Sequence, residues 1–173
     1  MTTSPTDRSK KKSRDPIPPS RVFGNPYCFL AFGFGSGLAP FAPGTFGTLA
    51  AIPIYWLLAS WGTPLYAAVV LIMALAGIHI CRRAEEILGV SDHPGIVWDE
   101  VVGYLVAMSL LPADWLSVLL GFLAFRLFDI LKPWPIGWLD RTVGGGLGVM
   151  LDDVLAGVYA GLLLFLGRMA QPF

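Results

Sequence analysis

From residue 49 onward the chain alternates between long apolar runs and short links that are polar or carry Gly and Pro. Five runs predict helices: Leu49–Trp61, Pro64–Cys81, Ile96–Leu111, Trp115–Leu131 and Val149–Gly167. A membrane span needs ~20 apolar residues, with ~17 near the lower limit. The runs approach that length, the first if residues 45–48 extend it. Upstream, Tyr27–Thr48 is also apolar but is interrupted by Gly33, Gly35, Gly37, Pro40, Pro43, Gly44 and Gly47. Such punctuation breaks a full-length helix. Irregular backbone survives at membrane depth only where protein or a polar cavity satisfies it. The stretch therefore predicts a Gly-rich interfacial or re-entrant helix followed by a loop. Residues 1–21 lack apolar side chains to bury and read as a disordered basic tail, leaving residues 22–173 as a single helical membrane domain.

Composition agrees with that pattern. Hydrophobic residues make up 55% of the 173 positions and charged residues 14%, against about 25% charged in soluble domains. The expected fold class is all-α, a polytopic membrane protein with about five embedded helices. The formal net charge is zero, and no nucleic-acid partner is expected. Arg8, Lys10, Lys11, Lys12, Arg14 and Arg21 crowd the tail, either as a solvated orientation signal or as a weak attraction to anionic lipid. No short apolar core with a cleavage site follows this basic start, so no secretory signal peptide is expected. Cys28 and Cys81 have neither metal-site nor disulfide-framework spacing and read as reduced structural thiols.

Lys and Arg also set an orientation. The links Gly62-Thr63 and Pro112-Ala113-Asp114 carry no basic residue, whereas the 82–95 loop carries Arg82 and Arg83 and the 132–148 loop carries Lys132 and Arg141. Five spans starting inside place all basic links in the cytoplasm. The acidic residues of the apolar runs then fall at one depth. Asp99 and Glu100 open the third run, Arg126 and Asp129 close the fourth, and Asp152 and Asp153 open the fifth. An Asp at a helix centre in lipid costs roughly 2.5–3.5 kcal/mol even on lenient scales, so these groups call for a cationic partner. Carboxylates from several helices are hard oxygen ligands of the kind Mg²⁺ accepts. The competing reading is capping, which is good for Asp152 at a helix start and weak for Asp129, where the dipole opposes it.

Neighbours in a helix point ~100° apart, so one member of each acidic pair would ligate and the other orient it. Asp153, Gly157 and Gly161 share a face, as do Glu100, Gly103 and Ala107. Small residues there would let helices approach and turn the acids inward. Arg126-x-x-Asp129-x-x-Lys132 forms either a plain ion-pair ladder or, through Arg126 and Lys132, a phosphate clamp. Ser36 and Thr45 could offer hydroxyls to an anion, although glycines in such loops also serve simple packing. His93 stands just before the acidic pair, as a proton shuttle or as an ordinary loop histidine. An ion transporter is the rival class, since intramembrane carboxylates also line ion paths. Transport predicts polar groups through the bilayer depth, and here they occupy one side.

Four stretches taken together resemble one family: Gly33–Gly47, Ile96–Glu100, Phe125–Ile136 and Gly145–Gly157. In order and content they are similar to bacterial phosphatidylglycerophosphatase A, over residues 25 to 168. The resemblance implies a Mg²⁺-dependent phosphatase of the bacterial inner membrane. It would remove the terminal phosphate of phosphatidylglycerol phosphate, a lipid partner, at the cytoplasmic face. By motif matching Asp99, Glu100, Asp129, Asp152 and Asp153 are its acidic positions, and Arg126 and Lys132 its basic ones. The roles read onto them are metal binding for all five acids, catalysis for Asp99, Glu100, Asp129, Asp153 and His93, and phosphate binding for Arg126, Lys132, Ser36 and Thr45.

Overall fold

A computed structural model describes residues 15–91 and 93–170. Among these residues the regular structure is all helical: α1 (Pro19–Phe23), α2 (Pro26–Ala31), a 3₁₀ segment over Gly33–Leu38, α3 (Pro43–Ala59), α4 (Thr63–Leu88), α5 (Trp98–Met108), α6 (Trp115–Leu131), α7 (Ile136–Thr142) and α8 (Gly145–Met169). Of the expected tail, residues 1–14 lie outside the described residues. Its end is ordered, because Val22 is fully buried in α1 and Arg21 Nη2 donates to Ile87 O at 3.0 Å.

Local chemistry places the helix ends. Asn25 caps α2, accepting from the amides of Tyr27 and Cys28 at 3.0 and 3.3 Å. The punctuated stretch that follows is irregular, with Gly33, Phe34 and Gly35 all at positive φ. Pro43 then starts α3 earlier than the apolar run suggests. Helix α4 runs past Cys81 because its polar end is still amphipathic. Cys81, Ala84, Glu85 and Leu88 are buried, and the helix stops only at Gly89, left-handed at φ 73°. Asp114 caps α6, and bonds from the Ser117 amide and hydroxyl hold its carboxyl below the usual range.

Helix α5 is the axis of the molecule. Val101, Val102, Tyr104, Leu105 and Ala107 are fully buried, and α3, α4, α6 and α8 all pack on it. Its contact with α8 is a seam of small residues. A Cβ at Gly157 would collide with Gly103 O, and one at Gly161 would stand 2.8 Å from Ala107 O. The tyrosine hydroxyls inside the bundle find backbone acceptors, Tyr66 on Leu105 O at 2.6 Å and Tyr104 on Val118 O at 3.2 Å. A cavity of about 230 Å³ adjoins the C-terminal end of α5, lined by Tyr55, Tyr66, Met108 and Leu111 among others.

The outside of the bundle is apolar, with Leu71, Ile72 and Leu75 of α4 and Leu162, Leu163 and Leu166 of α8 exposed. Two helices, α4 and α8, are long and apolar enough to cross a membrane, with 26 and 25 residues. Of the other three expected segments, α3 and α6 have 17 residues each and α5 has 11.

Candidate active site

Asp99 and Glu100 occupy the first turn of α5. The glycine seam brings α8 against that turn, and carboxylate oxygens of Asp99, Glu100 and Asp153 all lie within 4.8 Å of one another. Gly44 lets the first turn of α3 close over them, since a Cβ there would collide with Glu100 Oε1 and stand 3.0 Å from Arg126 Nη1.

The C-terminal end of α6 and the residue just beyond it supply the cations. Arg126 Nη1 lies 2.6 Å from Asp129 Oδ2 and 3.8 Å from Glu100 Oε1. These contacts are close but not aligned, and both Nε and Nη1 are buried without a hydrogen-bond acceptor. Lys132, left-handed at φ 42° beyond α6, donates from Nζ to Asp152 Oδ2 at 2.6 Å and to Asp140 Oδ1 at 2.7 Å. It thereby ties α6 to α7 and α8.

All these groups face one cavity of about 400 Å³ at the N-terminal end of α5. Asp99, Glu100, Asp129, Asp152, Asp153, Arg126, Lys132 and His93 line it, and Ser36 and Thr45 do not. Ser36 Oγ turns back to donate to Phe32 O at 3.5 Å. What α3 and the loop before it contribute instead is Ala42, Pro43 and Gly44. The five expected metal ligands also divide. Three converge, whereas Asp129 and Asp152 each face a cation. Both members of the pair on α5 enter the cluster, and only Asp153 of the pair on α8.

His93 is held by backbone on both sides. Its Nδ1 accepts from the Gly95 amide at 3.0 Å, which leaves Nε2–H to donate to Asp15 O, also at 3.0 Å. Its ring stacks on Phe32 at 5.8 Å. In this arrangement both ring nitrogens are engaged by backbone, and the residue is buried at the cavity wall rather than solvated in a loop.

Glu85, Asp140 and the glycines 144, 145 and 148 also line the cavity; the sequence reads the glycines either as backbone donors to an anion or as a flexible link, and gives Glu85 and Asp140 no role. Glu85 is only 2% exposed. The available clue was its spacing from Cys81 and Leu88 on the buried stripe of α4.

Hard oxygen donors in this arrangement could hold a divalent cation. Asp99 Oδ1 and Glu100 Oε2 are buried without a hydrogen-bond partner. Unpaired buried carboxylate oxygens are costly, and a cation would satisfy them. The neighbouring guanidinium, with free donors, suits an anion. A cation site beside an anion site is the combination needed to bind and polarise a phosphate group.

Comparison with known proteins agrees. A family model described as phosphatidylglycerophosphatase A matches residues 29–168. The phosphatidylglycerophosphatase A of Escherichia coli K12 is 45% identical over 170 residues, covering 97% of this chain and 95% of that protein. The protein of the same name from Haemophilus influenzae is 42% identical over 143 residues, covering 82% and 88%. A Bacteroides thetaiotaomicron protein provisionally named phosphatidylinositol-3-phosphatase is 40% identical over 150 residues, covering 80% and 91%. No solved structure matches. The chain is therefore an enzyme, a phosphatase belonging to the phosphatidylglycerophosphatase A family.

Proposed function

We propose that the chain hydrolyses phosphatidylglycerol phosphate to phosphatidylglycerol and inorganic phosphate at the cytoplasmic boundary of the bacterial inner membrane, with Mg²⁺ as cofactor. The observation that carries this reading is the cluster of Asp99, Glu100 and Asp153 beside Arg126 in a single cavity. Mg²⁺ bound there would neutralise phosphate charge and lower the pKa of a water. Asp99 Oδ1 and Glu100 Oε2, unpaired within the protein, are its natural donors, with Asp153 completing the set. Arg126 directs its free donors at the phosphate oxygens, and Asp129 fixes the guanidinium through their 2.6 Å contact. Lys132 holds Asp152 by Oδ2, leaving buried Oδ1 unpartnered to take the proton of the attacking water. Water oxygen would bond to phosphorus as the bond from phosphorus to the glycerol oxygen breaks, and the leaving oxygen would take up a proton from solvent to become the hydroxyl of phosphatidylglycerol.

In this reading α3, α4, α5, α6 and α8 are the five membrane segments. The acyl chains stay in lipid against the apolar exterior while the phosphates enter the cavity. Ion transport is not favoured. Tyr104, Leu105, Met108 and Phe125 are at most 1% exposed and form a packed plug beyond the acidic layer.

The test is phosphate release by the purified protein from phosphatidylglycerol phosphate, with Mg²⁺ and with chelator. Release should require Mg²⁺ and fall by about 10²–10³ in Asp153→Asn, the usual scale for a key electrostatic group. Full-rate release in chelator would overturn the metal assignment. Faster release from phosphatidylinositol 3-phosphate would overturn the substrate.

A further inference from the structure

The outer face of α4 carries a second polar concavity, of about 340 Å³, lined by Tyr27, His79, Arg82, Arg83 and Glu86. None of these residues lines the carboxylate cavity. His79, Arg82 and Glu86 continue a single helical stripe that begins with Ile72 and Leu75, at spacings of three and four residues. Ile72 and Leu75 are 64% and 61% exposed. At 1.5 Å per residue, His79 stands ~24 Å and Arg82 ~28 Å along the helix from Thr63. The hydrocarbon layer is ~30 Å thick. With α4 across the membrane, the stripe is therefore apolar at acyl-chain depth and cationic at headgroup depth.

The charges there are incompletely matched. Among the described residues Glu86 faces two guanidiniums, with Arg82 Nε at 3.1 Å and Arg83 Nη1 at 2.8 Å. A guanidinium has five donors, and the two side chains are 70% and 48% exposed. The Tyr27 ring, on α2, lies 5.8 Å from the Arg83 guanidinium carbon and 5.7 Å from the His79 ring. It forms one wall of the pocket. The result is a net positive, aromatic-walled pocket directly above an apolar strip.

We propose that this pocket binds the phosphodiester headgroup of an anionic glycerophospholipid of the surrounding bilayer, with an acyl chain laid along Ile72 and Leu75. The site lacks the carboxylate cluster, so the lipid is a bound cofactor of the fold and is not hydrolysed. The inference rests on α4 crossing the membrane and not on the hydrolytic assignment. Its readout is lipid retention, so it can fail while phosphate release stands, and the reverse.

The experiment is native mass spectrometry of delipidated protein in detergent, titrated with dioleoylphosphatidylglycerol or dioleoylphosphatidylcholine. Wild type and an Arg82→Gln/Arg83→Gln variant are compared. Gln keeps the Arg82 Cβ against which Gly146 packs, and equal melting temperatures confirm the fold. Wild type should retain one more phosphatidylglycerol than the variant, and the variant's apparent affinity for that lipid should be weaker by about tenfold or more. Phosphatidylcholine should not fill the site, and millimolar glycerol 3-phosphate should not empty it. Equal retention by the variant, equal retention of phosphatidylcholine, or displacement by glycerol 3-phosphate would each overturn the proposal, the last by making this a site for free phosphate.

Discussion

Gly44 shows how finely the acidic cluster is placed. A Cβ at this position meets two flexible side-chain ends, Glu100 Oε1 and Arg126 Nη1. Both can move aside, so Gly44→Ala should fold and melt near the wild-type temperature. The cost falls on geometry, because the Glu100 carboxylate must leave its place beside Asp99 and Asp153. Misplacement by an ångström can cost about 10²-fold in rate. We expect that order of loss in phosphate release with unchanged protein yield, and near-normal release would show that the Glu100 position is not critical. At this scale the convergence of the acids and Arg126 on one cavity was legible from sequence, because charge inside apolar runs is too costly to be incidental. The placement of Ser36 and Thr45 outside the cavity was not, since the punctuated stretch does not announce that Ser36 falls in a 3₁₀ segment and Thr45 in the first turn of α3. The setting of His93 was hidden for a related reason, because Phe32 and Asp15, which hold its ring, are distant in sequence.

Among the elements, the α5–α8 seam decides whether the site exists. At Gly157 the obstacle to a side chain is Gly103 O, a backbone atom, so the helices themselves must separate. Overpacking of this kind costs roughly 1–3 kcal/mol. Gly157→Ala should therefore lower the melting temperature and, by moving Asp153 from Asp99 and Glu100, also lower activity. Gly167, on the same helix, has nothing within 4 Å of an added Cβ. Gly167→Ala should be neutral or stabilising, up to the ~1 kcal/mol helix preference of Ala over Gly. Thermal unfolding of both variants in one detergent separates packing from propensity, and equal effects would contradict the seam. The small residues at three- and four-residue spacing made this seam readable in advance. Helix α7 was not readable, being a helix of only seven residues between Pro-rich and Gly-rich links. The extension of α4 was hidden because apolarity was taken as its limit, whereas the helix obeys its buried stripe and Gly89.

For the whole molecule, the helical class and one-sided polarity were visible in composition and in the placement of Lys and Arg. The number of crossings was not, because three of the five expected segments are shorter than a bilayer. Orientation can be tested with Cys28 and Cys81 replaced by Ala. Arg141→Cys should resist a membrane-impermeant thiol reagent applied outside intact cells, and Ala113→Cys should react. The opposite pattern would invert the topology. The shortness of α5 has an electrical consequence. Its 11 residues extend only ~16 Å at 1.5 Å each, and a polar cavity opens at each end. If α5 is one of the proposed membrane segments, the membrane voltage would fall mainly across this central plug. Moving an elementary charge through the full field involves about 2.3 kcal/mol per 100 mV. Under the proposed assignment, a cation held by Asp99, Glu100 and Asp153 from the cytoplasmic side would stop before most of that drop. Its occupancy would follow cytoplasmic concentration, and turnover should proceed at the same rate in energised and de-energised membranes.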